Sequence, residues 1–341
     1  MKFHAELAGN QIVCDITPDH AFAGPVFCFS LMVPSIVLEG GTLVTNTGGY
    51  AEVQLPDLEA GVPHRVVLRH ADPSFIAANR AWLPLSGYLR SGGELVPLPV
   101  LEAGVKDVED TPFEPFDGLR LIPKVDHWTP MVGTVLVKGF SYADSPALDQ
   151  VAALGHRCNM QDFNQQDGQP VTVRTDPNLP LDAYSLTIAQ DGISISASSD
   201  GGIFYAGVTL LSLCATHGGA LPLGTISDAS RFGWRGQHLD CARHFYDVKA
   251  ILRLLDLMAL CKLNRFHWHF ADDEAFRVEV DCLPELWQKT AFRGECEVIP
   301  GVFGGGISSG GTYSKADVAK VVAHAMSLNI EVLPEIEVPA H

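Results

Sequence analysis

From Phe232 onward the sequence repeats one unit, a short apolar strand candidate followed by a helix candidate, and this repeat restricts the fold more than any other feature. Gln237 to Cys241 reads as a strand. Asp247 can cap a helix running to about Lys262, with a polar stripe at Lys249, Arg253 and Asp256. Phe266 to Phe270 is a second strand. After a Gly-rich stretch, Ser314 and Asp317 form a capping box opening a helix to about Leu328, and Ile330 to Ile336 makes a third strand. Strands joined by helices return to the same end of a sheet and run parallel, so a (β/α) barrel is expected. A complete (β/α)8 TIM barrel takes about 250 residues. Phe232 to His341 supplies 110. Three strands cannot close a barrel, so we expect the first part of one, with truncation favoured over a small open sheet.

Upstream the periodicity changes. Residues 1–117 read as an all-β, sandwich-like domain of short Val/Leu/Ile runs between Gly and Pro turns. Gly40-Gly41 lies between Ile36–Leu38 and Leu43–Val44, and Gly92-Gly93 between Tyr88–Leu89 and Leu95–Val96. Both are read as tight hairpin turns, where glycine supplies a positive φ. Glu102 to Asp117 carries six acids against one Lys, with Pro112 and Pro115, and reads as a linker. Residues 118–228 read as a small α/β domain. Tyr184, Leu186 and Ile188 alternate with polar neighbours, as do Ile193, Ile195 and Ala197 beyond Asp191-Gly192, which predicts a hairpin with one buried face. The apolar segment Ile203 to Ala215 is long enough for a helix packed on it. The barrel portion is then 229–341.

Charge narrows the partners. With 23 basic and 40 acidic residues the net charge is −17, a field that repels phosphate backbones and anionic lipid, so neither nucleic acid nor a membrane is expected as partner. The longest apolar runs, such as Ile251 to Leu260, are broken by Arg253 and Asp256. The start, Met1 to Glu6, has no signal-peptide stretch, and the cytoplasm is the expected compartment. The eight cysteines show no C-x-x-C spacing and read as buried reduced thiols.

Barrel enzymes place reactive groups at the C-terminal ends of strands. Here those ends carry Asp240 to Phe245, His267 to Glu274 and Pro334 to His341, bringing together an arginine, several carboxylates and several histidines. Such a set suits a hydroxyl-rich substrate and acid/base chemistry. Each piece also has a plainer reading. Arg243 can simply pair with a carboxylate, His267 and His269 can be strand packing on one face with Trp268 on the other, and Asp272-Asp273-Glu274 can be a solvated loop. A terminal His341 would ordinarily be a frayed end.

Taken in order, the segments are more specific. The run Trp234-Arg235-Gly236-Gln237-His238-Leu239-Asp240-Cys241-Ala242-Arg243-His244-Phe245 resembles the start of the catalytic barrel of glycoside hydrolase family 20, the β-N-acetylhexosaminidases. Lys262 to Asp273, Gly310 to Ser314 and Glu331 to His341 are similar to its following motifs, and Tyr184 to Leu213 to the small domain before that barrel. The resemblance implies exo-hydrolysis of terminal N-acetylglucosamine or N-acetylgalactosamine from glycan substrates, with retention and no metal or other cofactor. It implies that Arg243 binds hydroxyls of the terminal sugar, where a planar fork of donors suits a diol. Asp272 and His341 become two members of a relay supporting the general acid.

The departures matter too. The family's adjacent Asp-Glu follows His-x-Gly-Gly on a fourth strand. There Glu protonates the leaving oxygen, and Asp orients the acetamido group that attacks the anomeric carbon. The 341 residues contain no such motif. Asp273-Glu274 follows the wrong strand, where the family has Asp-Gln, and is rejected as that pair. Glu337 replaces the usual Asp, Ala340 the usual Gly, and Ala275-Phe276 the usual Gly-Trp. The expectation is therefore a portion of a hexosaminidase that is itself inactive without the acid. The alternatives are a non-catalytic carbohydrate-binding fragment and a metal-dependent hydrolase built on His267, His269 and Asp272.

Overall fold

The computed structural model describes residues 1–72, 74, 80–103, 118–160, 167–301, 306–338 and 341, side chains at 80 and 101–103 excepted. The first strands are β1 (Lys2–Ala8), β2 (Gln11–Thr17), β3 (Val26–Ser30), β4 (Ser35–Glu39), β5 (Thr42–Thr47) and β6 (Tyr50–Gln54). They are followed by β7 (His64–His70), β8 (Tyr88–Ser91), β9 (Glu94–Pro97) and β10 (Val100–Ala103). Two five-stranded sheets result, in the orders β10-β1-β2-β7-β4 and β5-β6-β3-β8-β9. They share one core in which Phe3, Ile12, Cys14 and Ile16 of the first sheet meet Phe27, Phe29, Val53 and Leu89 of the second.

Gly92-Gly93 is a hairpin turn as expected, joining antiparallel β8 and β9 with φ of 56° and 88°. Gly40-Gly41 is not. β4 pairs with β7 and β5 with β6, so the pair carries the chain from one sheet to the other. A Cβ at Gly40 would stand 1.9 Å from the Arg65 carbonyl oxygen, and one at Gly41 2.5 Å from Val53 Cγ1. Each glycine lies close to the strand next to it in its own sheet, Gly40 to β7 and Gly41 to β6, and Gly40 also has a φ of 86°, so local sequence cannot distinguish this crossing from a hairpin turn. Of the linker expectation, only Glu102 and Ala103 are described, ending β10; the remainder lies outside the described residues.

The middle of the chain forms β11 (His127–Leu136), β12 (Phe140–Tyr142), α1 (Pro146–Arg157), β13 (Gln169–Thr175), β14 (Tyr184–Ala189), β15 (Gly192–Ala197), α2 (Asp200–His217) and β16 (Ala220–Asp228). The six strands make one sheet, β11-β16-β14-β15-β13-β12, with β14 and β15 as the expected hairpin. Ser199 caps α2 through Gly202 N–H, and Gly218 ends it in the left-handed conformation. α2 is apolar around most of its circumference because it is buried in a core that continues into the next unit.

That unit comprises β17 (Gly236–Asp240), α3 (Val248–Leu260), β18 (Arg265–Asp272), β19 (Ala275–Phe276), α4 (Glu285–Thr290), β20 (Phe292–Gly294), β21 (Ser308–Gly310), α5 (Lys315–Met326) and β22 (Glu331–Ile336). β17 and β22 flank β18, both parallel to it. Asp247 caps α3 through Ala250 N–H at 2.7 Å, and Ser314 and Asp317 form the capping box of α5. Lys262 joins the middle and last units. Its Nζ donates to Asp228 Oδ2 at 2.7 Å and to Tyr184 Oη at 2.8 Å.

Two expectations need correction. Asp256 is buried, not part of a solvated stripe, because Arg157 and His324 both bond its carboxylate, at 2.8 and 2.9 Å. The cysteines are all free, but Cys261, Cys282 and Cys296 are exposed. Among the described residues no helix is long and apolar enough to cross a membrane.

Candidate active site

β17, β18 and β22 end on the same side of their sheet, so the residues after each strand converge. Asp240, closing β17, turns the chain by accepting the Ala242 and Arg243 N–H groups, both at 3.0 Å. The loop carbonyls are then captured from outside. Arg277, fully buried, donates to the Cys241 oxygen at 3.0 Å, the Ala242 oxygen at 2.9 Å and the Ala291 oxygen. Arg293, also fully buried, donates to the Arg243 oxygen at 2.5 Å. Burial, and then the nearby Arg293 charge, lowers the pKa of Arg277 to about 10, still charged at neutral pH.

The Arg243 guanidinium meets three carboxylates. Nη1 lies 2.6 Å from Asp272 Oδ2 and 3.2 Å from Asp240 Oδ2, and Nε lies 2.6 Å from Glu274 Oε2. Burial opposes its charge, but Glu274, Asp240 and Asp272 outweigh this and raise its pKa. Among the described residues, Nη2 has only His341 Nδ1 near it, at 3.5 Å, leaving donors for a ligand.

Asp272 is the hub. Its side chain is shielded from solvent, and Oδ2 also receives His269 Nε2 at 2.8 Å and His341 Nδ1 at 3.0 Å. Oδ1 accepts the Asp273 N–H at 2.7 Å. Burial pushes the carboxyl pKa up, yet these hydrogen bonds and the Arg243 charge prevail and hold it at about 2. His269 spans two carboxylates, its Nδ1 lying 2.6 Å from Glu335 Oε2. Burial opposes protonation of that ring, but bonds to Asp272 and Glu335 raise its pKa. His267 Nε2 reaches the same Glu335 oxygen at 2.7 Å.

Sequence reading singled out Arg243, Asp272 and His341, and the structure brings all three together. His341 is two-thirds exposed but anchored, its own N–H bonding Asp273 Oδ1 at 3.0 Å. With Nδ1 donating to Asp272, the neutral ring presents Nε2 as an acceptor with no hydrogen-bond partner among the described residues. The acidic run is not merely a solvated loop, since the Asp272 and Glu274 side chains are largely buried against Arg243. Trp268 packs in the core as expected, whereas His269 is a hydrogen-bonding member of the site. Sequence reading gave His269 only strand packing or a place in a metal set, and gave no role to Glu335, Arg277 or Arg293. The first two had a signal: in parallel register His269 stands beside Glu335, and period-two alternation puts His267 on the same face. The buried arginines had none, because their partners are main-chain carbonyls.

His238, His269 and Glu335 offer ligand atoms within 4.8 Å of one another, the group among the described residues best placed to hold a metal. A ligand imidazole must present a lone pair to the metal, whereas both His269 nitrogens already face carboxylates, Nε2 toward Asp272 and Nδ1 toward Glu335. Asp272 lies across His269 from Glu335, so the His267, His269 and Asp272 set does not converge on one point. A cavity of about 900 Å³ lies elsewhere, at the opposite strand ends, lined by Arg235, Asn264, Arg265 and Glu331 among others.

Comparison with known proteins places this geometry. Residues 232–341 match the model described as glycosyl hydrolase family 20, catalytic domain, and residues 119–229 the model of domain 2 of the same family. A beta-hexosaminidase of Vibrio furnissii is 36% identical over 235 residues, covering 65% of this chain and 38% of that protein. An N,N'-diacetylchitobiase of Vibrio harveyi is 36% identical over 210 residues, 56% of this chain and 23% of that one. The chain thus spans well under half the length of these relatives. A solved GH20 exo beta-N-acetylglucosaminidase of Vibrio harveyi, in complex with N-acetylglucosamine, superposes with a TM-score of 0.74 at 23% identity. That likeness in fold covers 99% of this chain and 57% of the other.

Proposed function

Since the chain belongs to glycosyl hydrolase family 20, we propose that it is the part of a β-N-acetylhexosaminidase that binds the terminal sugar and supports the general acid. On this reading 1–117 is a β domain, 118–228 the small α/β domain and 229–341 the first three βα units of a (β/α)8 TIM barrel. The observation that carries it is the junction of Arg243, His269 and His341 on Asp272 at the C-terminal strand ends. The free Nη2 of Arg243 takes two adjacent hydroxyls of the non-reducing sugar. Asp272, anionic at any working pH, fixes His341 with Nε2 outward, where it accepts a hydrogen bond from the acid or its carrier and steadies the acid's pKa.

The acid itself, and the carboxylate orienting the acetamido group, are supplied from outside these 341 residues, which contain no His-x-Gly-Gly-Asp-Glu. The substrate's acetamido oxygen attacks the anomeric carbon, so cleavage proceeds through an internal ring and retains configuration. The partners are glycans ending in N-acetylhexosamine.

The test uses the full natural protein and an aryl N-acetyl-β-glucosaminide. Asp272→Asn is expected to lower kcat by about 10²-fold, and Arg243→Ala to raise KM more than it lowers kcat. A protein that binds such glycans through residues 1–117 but turns over none would establish the carbohydrate-binding reading instead.

A further inference from the structure

The N-terminal sandwich reaches the site through Arg293 to Glu295, at the end of β20, and we infer that this contact positions Arg243. The inference rests on the sugar-binding reading of that arginine. At the outer end, Tyr88 of β8 donates to Glu295 Oε2 at 2.5 Å, and Arg90 Nη1 to Glu295 Oε1 at 2.7 Å. The clamp is itself braced. Arg90 Nη2 pairs with Glu52 at 3.0 Å, Tyr50 donates to Glu52 at 2.9 Å, and Ile307 packs against Cys28, Tyr50 and Tyr88. At the inner end, two residues before Glu295, Arg293 holds the Arg243 carbonyl.

Both ends are charged groups with little water, where hydrogen bonds are strong and loss of one partner leaves a buried charge unpaired. Gly294 between them is tied to Ile299 by its N–H at 3.0 Å, so the segment between clamp and carbonyl has little slack. Among the described residues no carboxylate is hydrogen-bonded to the Arg293 guanidinium, and its location is set by the strand that bears it. Glu295, Tyr88 and Arg90 are therefore positioning residues. They hold the strand, the strand holds Arg293, and Arg293 with Arg277 fixes the three carbonyls of Cys241, Ala242 and Arg243. On this view the sandwich serves the site directly.

Glu295→Gln and Tyr88→Phe keep shape while weakening the clamp, and Leu68→Ala damages the sandwich core without touching it. In the full-length protein, amide hydrogen exchange of residues 241–245 is expected to quicken about five- to tenfold in the two clamp variants and not in Leu68→Ala. KM for the aryl glycoside rises by a similar factor while kcat stays within about twofold. Unchanged exchange at 241–245 in both clamp variants, or an equal change in Leu68→Ala, overturns the inference. A parent protein with no turnover sinks the functional reading, while the exchange data still decide whether the clamp fixes the loop.

Discussion

In β2 of the sandwich, Ile12, Cys14 and Ile16 point into the core, while Gln11, Val13, Asp15 and Thr17 look outward. In β18, Phe266, Trp268 and Phe270 take the core face and His267 and His269 the other. The alternation is the same but the outward faces have opposite fates. Asp15 pairs with Arg65, which is mostly exposed, so the pair is screened and worth little. His269 is buried between Glu335 and Asp272, where each hydrogen bond constrains its neighbours. A strand's second face becomes a site only when neighbouring strands place partners on it and remove water.

The apolar faces should then be equivalent. Trp268, whose ring lies 4.3 Å from Phe270 and 4.9 Å from Tyr313, and Phe27, 4.7 Å from Phe29, should each cost about 3–5 kcal/mol on replacement by Ala, read from urea unfolding of each unit. A much smaller loss at Trp268 would mean that the C-terminal core is loosely packed, and the comparison would fail at its base.

The polar faces should diverge. Asp272→Asn removes the anion shared by Arg243, His269 and His341 and is expected to destabilise by about 3 kcal/mol. Arg65→Ala in the sandwich is expected to cost less than about 1 kcal/mol, and differential scanning calorimetry of both variants at low and high salt gives the contrast directly.

Between these lies a pH effect. The raised pKa of His269 stabilises the fold fully below 6.5, and that contribution disappears as pH climbs through the folded value. The depressed pKa of Asp272 acts the other way, contributing above 3.8 and fading as pH falls toward 2. The melting-temperature gap between the parent and His269→Gln should therefore be widest near pH 5 and narrow on the alkaline side. A gap that is flat from pH 5 to 9 would show that His269 stays neutral between its carboxylates.

What the sequence determined by itself is local. Strand alternation, the Asp247 and Ser314 caps, the Gly92-Gly93 hairpin and the strand–helix–strand order each depend on residues a few positions apart. Strand-end convergence made the region a candidate, but Arg243, Asp272 and His341 could be named early only because the segments carrying them resemble the motifs of a known family in order. The tertiary structure alone decided where Gly40-Gly41 leads, why Asp256 is buried, and how Arg277 and Arg293 hold the Arg243 loop. A carbonyl has no side-chain signature, and a glycine at a close approach reads like a glycine in a turn. Those choices are made by chain segments 12 to 207 residues away, through distances that only folding sets.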